Sequence, residues 1–556
     1  MKLNNHFSSV AEQVTGNKAE SFESLKSVIE NLPTNNETSF NLHHTSVQEV
    51  EKIIGSMRND ISTGHDSIPI KYIKPVCSYV SSPLTNIING CIDCNIFPDE
   101  WKVARVCPVP KINDPRIEKD YRPISILPIL SKVFEKIILH QSNYFISKQC
   151  IYKSTQSGYR KGHSCITLLL KLKNDIQLAM NSTEITLSVF ADYSKAFDTV
   201  DYHTLLLKLH SLNFSNPSLK LILNYLCNRK QFVQIDDRKS DFNTITFGVP
   251  QGSILGPILF NIYVSSMSDT TKSAKCLQFA DDTTLYVHGK VNTITQNAKS
   301  LESDIDNLKQ WSNESNMIFN NDKTKMMLFS TKQLSNRHNL KEKSIVQIFI
   351  DNVPMERKES MKVLGIILHE NLDWNDHISY ILTSGYSTLR TLRKIKRLTP
   401  YHVRKSLAEC LILSKINYGI ELLKTSPMYL IKRLQRLQNA TAGYVLGRYA
   451  KQADVIGLKW LTVQEQMDFC ISKLAFKSIN DETFPKYLNL SYTVKHDKND
   501  EEYITISRCK YKNTFQEETG KVYNELPIAI RKLKDYNCFI KESKSFYLSK
   551  GLAKSM

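Results

Sequence analysis

Ile185-Thr-Leu-Ser-Val-Phe-Ala-Asp192 is the stretch on which the fold turns. It is a β-type apolar run ending in a carboxylate, followed by Tyr193-Ser-Lys195-Ala-Phe197-Asp198, so a strand delivers an acid to the edge of a sheet. About ninety residues on, Cys276-Leu-Gln-Phe-Ala280-Asp281-Asp282-Thr-Thr-Leu-Tyr-Val287 reads as a hairpin whose turn holds two adjacent carboxylates between apolar strands. Alone, an Asp-Asp pair in a turn is ordinarily a solvated loop tip. Three carboxylates gathered at one sheet edge are different. They repel and desolvate one another unless a divalent cation neutralises them, and hard oxygen donors suit Mg²⁺ or Mn²⁺. Two such ions can activate a 3′-hydroxyl and stabilise a leaving pyrophosphate.

Between these segments, Phe247-Gly248-Val-Pro-Gln251-Gly252-Ser-Ile-Leu255-Gly256-Pro257 is a glycine-rich turn running into a helix with Leu255, Ile258, Leu259 and Ile262 on one face. Its amides can approach a flat or anionic ligand, and Gln251 can hydrogen-bond a nucleotide sugar or phosphate. The bland reading is a helix entry with Gly for packing. Outward from this centre, from Pro69 to about 370, strand-like runs alternate with amphipathic helices, as in an α/β unit with a small sheet. Val47 to Ile61 carries helical spacing, and after 380 helical spacing dominates, as in Leu430, Leu434, Leu437 and Thr441. The first 45 residues are polar, interrupted by Thr34-Asn-Asn-Glu37, and read as a partly ordered arm. Cys91-Ile-Asp-Cys94 has metal-ligand spacing but no second Cys/His pair, which favours a core helix over zinc.

A chain of 556 residues exceeds one hydrophobic core, and 41% hydrophobic with 23% charged residues is ordinary globular composition. The net charge of +18 favours a polyanionic partner, nucleic acid or an anionic membrane surface. No apolar run reaches the ~18 residues of a membrane span, and the amino terminus lacks a signal core, so the twelve cysteines are expected to be reduced.

Together these segments resemble the reverse transcriptases of non-LTR (LINE-type) retrotransposons, closest to the jockey-like group. Trp101 to Lys111, with Pro108 and Pro110, and Tyr121-Arg122-Pro-Ile-Ser-Ile-Leu127 resemble the family's fingers motifs. Gln156-Ser-Gly158-Tyr159-Arg160 is similar to the segment before the palm. Asp192 to Val200, Gly248 to Pro257 and Phe279 to Asp282 resemble successive palm motifs. Asn321-Asp-Lys323-Thr-Lys-Met-Met-Leu-Phe329 and Val363-Leu-Gly-Ile-Ile-Leu368 are similar to the following palm and primer-grip motifs. The resemblance runs from about residue 45 to the end and is most specific between 100 and 370. It implies an α/β (α+β palm) right-hand polymerase: a polar arm over 1–45, fingers over 46–180, a reverse transcriptase domain over 92–370 with palm motifs in 185–370, a basic helical thumb over 371–460, and a C-terminal region, 461–556, of unread role.

The implied activity is RNA-directed DNA synthesis from a 3′-hydroxyl primer with two Mg²⁺ or Mn²⁺ ions. Asp192, Asp281 and Asp282 are the implied metal-binding and catalytic residues, with Asp192 and Asp281 as the bridging pair. Phe197 stands where the family keeps a ring beneath the sugar, which would exclude a ribose 2′-hydroxyl and so disfavour an RNA-dependent RNA polymerase. Lys111 and Arg122 are expected on the triphosphate, with Gln251 and Gly252 lining the nucleotide site. Lys323 is a candidate acid for pyrophosphate, or a surface lysine. His163-Ser-Cys165 departs from the commoner Ser-Thr ending, leaving the local template contact open, and Ala280 is shared by many relatives. Residues 371–556 hold 31 Lys+Arg against 18 Asp+Glu, and 381–450 hold 13 against 2. Arg393, Lys394, Lys396 and Arg397, with Lys432, Arg433 and Arg436, are expected to grip a duplex backbone. The alternatives are a solvated helix face and, for 393–397, a nuclear localisation signal. The expected partners are an RNA template, a DNA primer, the RNA–DNA duplex, dNTPs and the element RNA as a ribonucleoprotein, without a membrane. The expected location is intracellular, nuclear with a cytoplasmic ribonucleoprotein stage. The 45-residue arm is too short for the endonuclease that such elements usually carry, and no RNase H strand start follows residue 370. The rival readings are an inactive remnant that only binds nucleic acid and a group II intron maturase.

Overall fold

The computed structural model describes residues 2–33, 38–149, 151–342 and 346–555; Thr34 to Glu37, read as interrupting the arm, lies outside the described residues. Four antiparallel strands form the central sheet in the order Lys325–Phe329, Ile185–Ala191, Asp282–Gly289, Lys275–Phe279. Every residue of Ile185–Ala191 is buried, because helices cover both faces and the strand needs no polar side. Ile185, Leu187 and Val189 join a core with Leu259 and Ile262 of helix Gly256–Tyr263 and Leu301, Ile305 and Leu308 of helix Ile294–Glu314. Phe190, Tyr286 and Met327 join a second core with Leu168, Leu169, Leu172 and Ile176 of helix Cys165–Asn181. The register pairs Ala191 with Thr283 and Phe279 with Asp282, so Asp192 and the Asp281 turn emerge at the same end of the sheet.

A second sheet carries the segments expected in the fingers. Ala104–Pro110 pairs antiparallel with Tyr121–Ile126 and parallel with Arg229–Ile235, which in turn pairs with Asn243–Ile245. Residues 229–245, expected within the palm, thus share a sheet with the segments expected in the fingers, and Cys165–Asn181, expected in the fingers, packs on the central sheet. Helix Ile129–Lys148 lies in the main core.

The residues read as a polar arm form two docked helices instead. Lys2–Thr15 seats Phe7 against Val106 and Val233 of the fingers sheet. Its buried Asn4 donates to the Asp241 carbonyl at 2.8 Å and accepts from Gln231 Nε2 at 3.1 Å. Phe22–Asn31, capped by Ser21, buries Leu25 and Ile29 in the main core. The few apolar residues of each helix face inward, which average polarity conceals. Helix Val47–Ser56 is shorter than its apolar spacing suggested, and Cys91 and Cys94 lie in helix Cys77–Cys94.

Beyond the palm, helix Asn375–Lys394 packs on Met428–Leu446, where Gly385 leaves room for Leu437. Residues after 461 build a third core from helices Val463–Asn480 and Tyr536–Ser555 and a hairpin, Tyr492–His496 with Glu502–Ile506. That hairpin is strand where helical spacing was expected to dominate. Among the described residues no helix is long and apolar enough to cross a membrane.

Candidate active site

Asp192 follows directly on the central strand. Its amide donates to Thr324 Oγ1 at 3.3 Å, its carbonyl accepts from the Asn320 amide at 2.9 Å, and Lys323 Nζ stands 3.3 Å from its Oδ2. Asp281 and Asp282 occupy the hairpin turn, whose Ala280 takes a left-handed φ of 58°. Burial and then the neighbouring Asp192 carboxylate push the Asp281 carboxyl up. Asp282 is raised to about 6 by burial, Asp281 and Asp192. Asp282 itself is exposed.

The donor chemistry fits a divalent cation. All three groups are carboxylates, and Asp192 Oδ2 is buried without a hydrogen-bond donor, with only the Lys323 ammonium alongside. Among the described residues no three His, Cys, Asp or Glu side chains close tightly enough to hold one ion. A groove of about 440 Å³ runs from Asp192 and Asp282 past Lys323 to Lys362, Val363 and Leu364.

Beside the carboxylates is a set of cations. The Lys111 ammonium is pulled down to about 8 by partial desolvation, then by the Lys195 ammonium, with Arg122 and Lys323 adding to it. The structure thus brings Lys111, Arg122 and Lys323 into one field and adds Lys195, which sequence reasoning quoted but did not weigh.

The glycine-rich turn closes the site from the side. Gly248 donates to the Val200 carbonyl and Val249 to that of Phe197, both at 2.9 Å. Gly252, at φ 115°, lies so close to strand Tyr121–Ile126 that a Cβ would stand 2.6 Å from the Ser125 carbonyl oxygen. Gln251 Nε2 donates to Asp198 Oδ1 at 2.6 Å. Phe197 stacks on Phe260 with centroids 4.1 Å apart, and Tyr159 meets its edge at 6.0 Å. Beneath the turn, fully buried Glu135 accepts from the amides of Ile254 at 2.7 Å and Leu255 at 3.1 Å, and from Ser131 and Tyr225. Sequence reasoning missed Phe260 and Glu135 and gave Asp198 and Tyr159, though within its motifs, no role. Asp198 carried a signal, a fourth carboxylate beside Phe197; Glu135, on a helix otherwise packed in the core, carried none.

The cations expected in the thumb divide. Arg393, Lys396 and Arg436 line a groove of about 750 Å³ with Arg448 and Tyr449; Lys394, Arg397, Lys432 and Arg433 lie outside its lining. Among the described residues none of these seven predicted cations forms an ion pair with a carboxylate.

A metal-suited carboxylate edge on an antiparallel sheet, flanked by cations, a glycine-rich turn and a stacked ring, is the arrangement that a palm-type nucleotidyltransferase domain requires. Residues 109–368 match the family described as reverse transcriptase (RNA-dependent DNA polymerase). Three Drosophila melanogaster proteins are similar over much of the chain. The probable RNA-directed DNA polymerase from transposon X-element is 27% identical over 411 residues, 72% of this chain and 44% of that protein. That from transposon BS is 26% identical over 75% of this chain and 46% of the relative. The RNA-directed DNA polymerase from mobile element jockey is 28% identical over 65% and 39%. Residues 109–368 are thus similar to reverse transcriptases, and the three relatives are named as RNA-directed DNA polymerases of transposons and a mobile element. The chain spans less than half the length of these curated relatives. Among solved structures, a Candida albicans telomerase in complex with a fragment of telomeric RNA overlaps 67% of this chain and 65% of its own at 12% identity and a TM-score of 0.33, too slight a likeness to draw on.

Proposed function

We propose that this chain is an RNA-directed DNA polymerase that extends a 3′-hydroxyl primer on an RNA template by nucleotidyl transfer. The observation that carries the reading is the meeting of Asp192, Asp281 and Asp282 at one sheet end, with Lys323 beside Asp192, Arg122 and Lys323 acting on Asp281, and Lys111 and Lys195 acting on the adjacent Asp198. Two divalent ions, Mg²⁺ or Mn²⁺, held by Asp192 and Asp281 with Asp282 beside them, would supply activation of the primer hydroxyl and neutralisation of the departing pyrophosphate.

The remaining work falls to the chain's own groups. Lys111 and Arg122 hold the triphosphate, the first as a point charge and the second as a planar fork. Phe197, backed by Phe260, lies under the sugar and excludes a 2′-hydroxyl. Gln251, steadied by Asp198, hydrogen-bonds the nucleotide, and the close turn at Gly252 shapes that wall. Lys323, paired with Asp192 before substrate binds, donates a proton to pyrophosphate once the ion pair opens. Lys362 to Leu364 line the groove that takes the primer end, and Arg393, Lys396 and Arg436 hold the duplex backbone. Template RNA, primer and dNTPs are thus the partners, with the element RNA bound as a ribonucleoprotein and the nucleus the site of synthesis.

Primer extension with dTTP on poly(rA)/oligo(dT) in Mg²⁺ or Mn²⁺ tests this. Product is expected, and Asp281→Ala should abolish it while duplex affinity is kept. Purified protein that binds the duplex yet makes no product would sink the polymerase reading and leave a nucleic-acid-binding remnant.

A further inference from the structure

Gln156 touches no metal-suited carboxylate, yet two of its three side-chain hydrogen bonds go to Ala280, next to Asp281 and Asp282. It is buried, at 4% exposure. Its Oε1 accepts from the Ala280 amide at 3.0 Å and the Gly158 amide at 2.7 Å, and its Nε2 donates to the Ala280 carbonyl at 3.2 Å. Two amides meeting one end of the group and a carbonyl the other leave one sensible orientation for the carboxamide.

The residue so gripped is Ala280, whose φ of 58° lies where a side chain with a Cβ is disfavoured. Such a conformation persists only where its surroundings over-determine it. The surroundings here do. Ser157 donates to the Gln278 carbonyl at 2.8 Å and Gln278 to the Thr155 carbonyl at 2.9 Å, so residues 155–157 run along the free edge of Lys275–Phe279. Gly158 packs so near that a Cβ would fall 2.3 Å from the Ala280 nitrogen. Asn261 Nδ2, from the helix after the glycine-rich turn, holds the Gly158 carbonyl at 2.8 Å.

We propose that Gln156 is a positioning residue for nucleotidyl transfer: it clasps both backbone polar groups of Ala280 and thereby fixes the left-handed turn that aims Asp281 and Asp282. The inference rests on the polymerase reading only for its catalytic consequence; the clasp itself is tested without turnover.

In the full chain, Gln156→Met keeps length and bulk while removing all three hydrogen bonds. Hydrogen–deuterium exchange without nucleotide or metal should quicken in the peptide spanning 276–287 and stay unchanged in the thumb. Extension should lose between about ten- and a hundredfold in kcat, as for a reacting group held slightly out of place, with KM for the duplex unaltered. The decisive arm is Ala280→Gly in the Gln156→Met background. Glycine adopts positive φ freely, so the double variant should regain a large part of the lost kcat. Should Gln156→Met fail to fold, Gln156→Glu replaces it: that side chain still accepts from both amides but sets its second oxygen against the Ala280 carbonyl, so exchange at 276–287 should again quicken. Unchanged exchange at 276–287, or a second glycine substitution that deepens the loss, would overturn the proposal. Wild-type protein inactive in extension, with exchange at 276–287 still quickened by Gln156→Met, would overturn the polymerase reading and leave the clasp standing.

Discussion

Phe197 is held on its face by Phe260 and at its edge by Tyr159, and a ring fixed from two sides cannot swing away from a bulkier sugar. Phe197→Ala should therefore raise the kcat/KM for UTP relative to dTTP by about tenfold or more, the scale set by filling or emptying a small apolar volume. Unchanged rNTP exclusion would remove the ring as the gate. Lys111 carries a different test. Its ammonium, drawn down to about 8 in the free protein, binds a triphosphate only when protonated. The sign follows: binding is strongest below pH 8, weakens as pH rises through that value, and takes up a proton between about 8 and the ordinary lysine value. KM for dTTP should rise about tenfold from pH 7 to 9, and Lys111→Arg, charged throughout, should flatten the rise. A flat wild-type profile would assign the triphosphate to other groups.

The glycine-rich turn and its helix, Gly256–Tyr263, depend on one buried carboxylate. Glu135 satisfies two amides at the helix entry, and its own carboxyl is pushed up by burial against the pull of Arg229 and those amides. Glu135→Ala orphans both, at about 1–3 kcal/mol for each buried group left unpaired. Melting should fall by several degrees, and KM for dNTP should rise because Gln251 rides on the same turn, whereas Glu135→Gln, keeping an acceptor, should lose less. A lower melting point with unaltered KM would confine Glu135 to stability. The palm strands were legible in the sequence because Ile185–Ala191 and the hairpin are continuous apolar runs closed by turn residues. The fingers sheet was not. Arg229–Ile235 pairs in parallel with Ala104–Pro110, and pairing between segments so far apart leaves no local pattern. The same holds within the site. Asp192, Asp281 and Asp282 announce themselves by residue type at strand ends, while Glu135, Phe260 and the grip of Gln156 on Ala280 exist only once distant segments meet.

At the scale of the whole molecule, both ends of the chain are packed onto the catalytic core. The first helix seats on the fingers sheet, and the C-terminal region reaches the palm through the Ser157–Tyr487 hydroxyl contact at 2.8 Å. The charge, by contrast, is unevenly spread, and geometry distinguishes two sorts of thumb cation. Arg393, Lys396 and Arg436 converge on one groove with no carboxylate to neutralise them, whereas Lys394, Arg397 and Lys432 are exposed outside it. A cation that displaces a condensed counterion from a phosphate steepens the salt dependence of binding by about 0.9 in the log–log slope, while one that only adds to the general field does not. Substituting the three groove residues by Gln should make the slope for an RNA–DNA duplex shallower by nearly three, with kcat at saturating duplex unchanged because none of them touches the reacting atoms. Substituting Lys394, Arg397 and Lys432 removes the same charge and should move the slope much less. Equal changes from the two triples, measured by duplex binding across a salt series, would show that the thumb attracts nucleic acid by net charge alone and that the groove is not its seat.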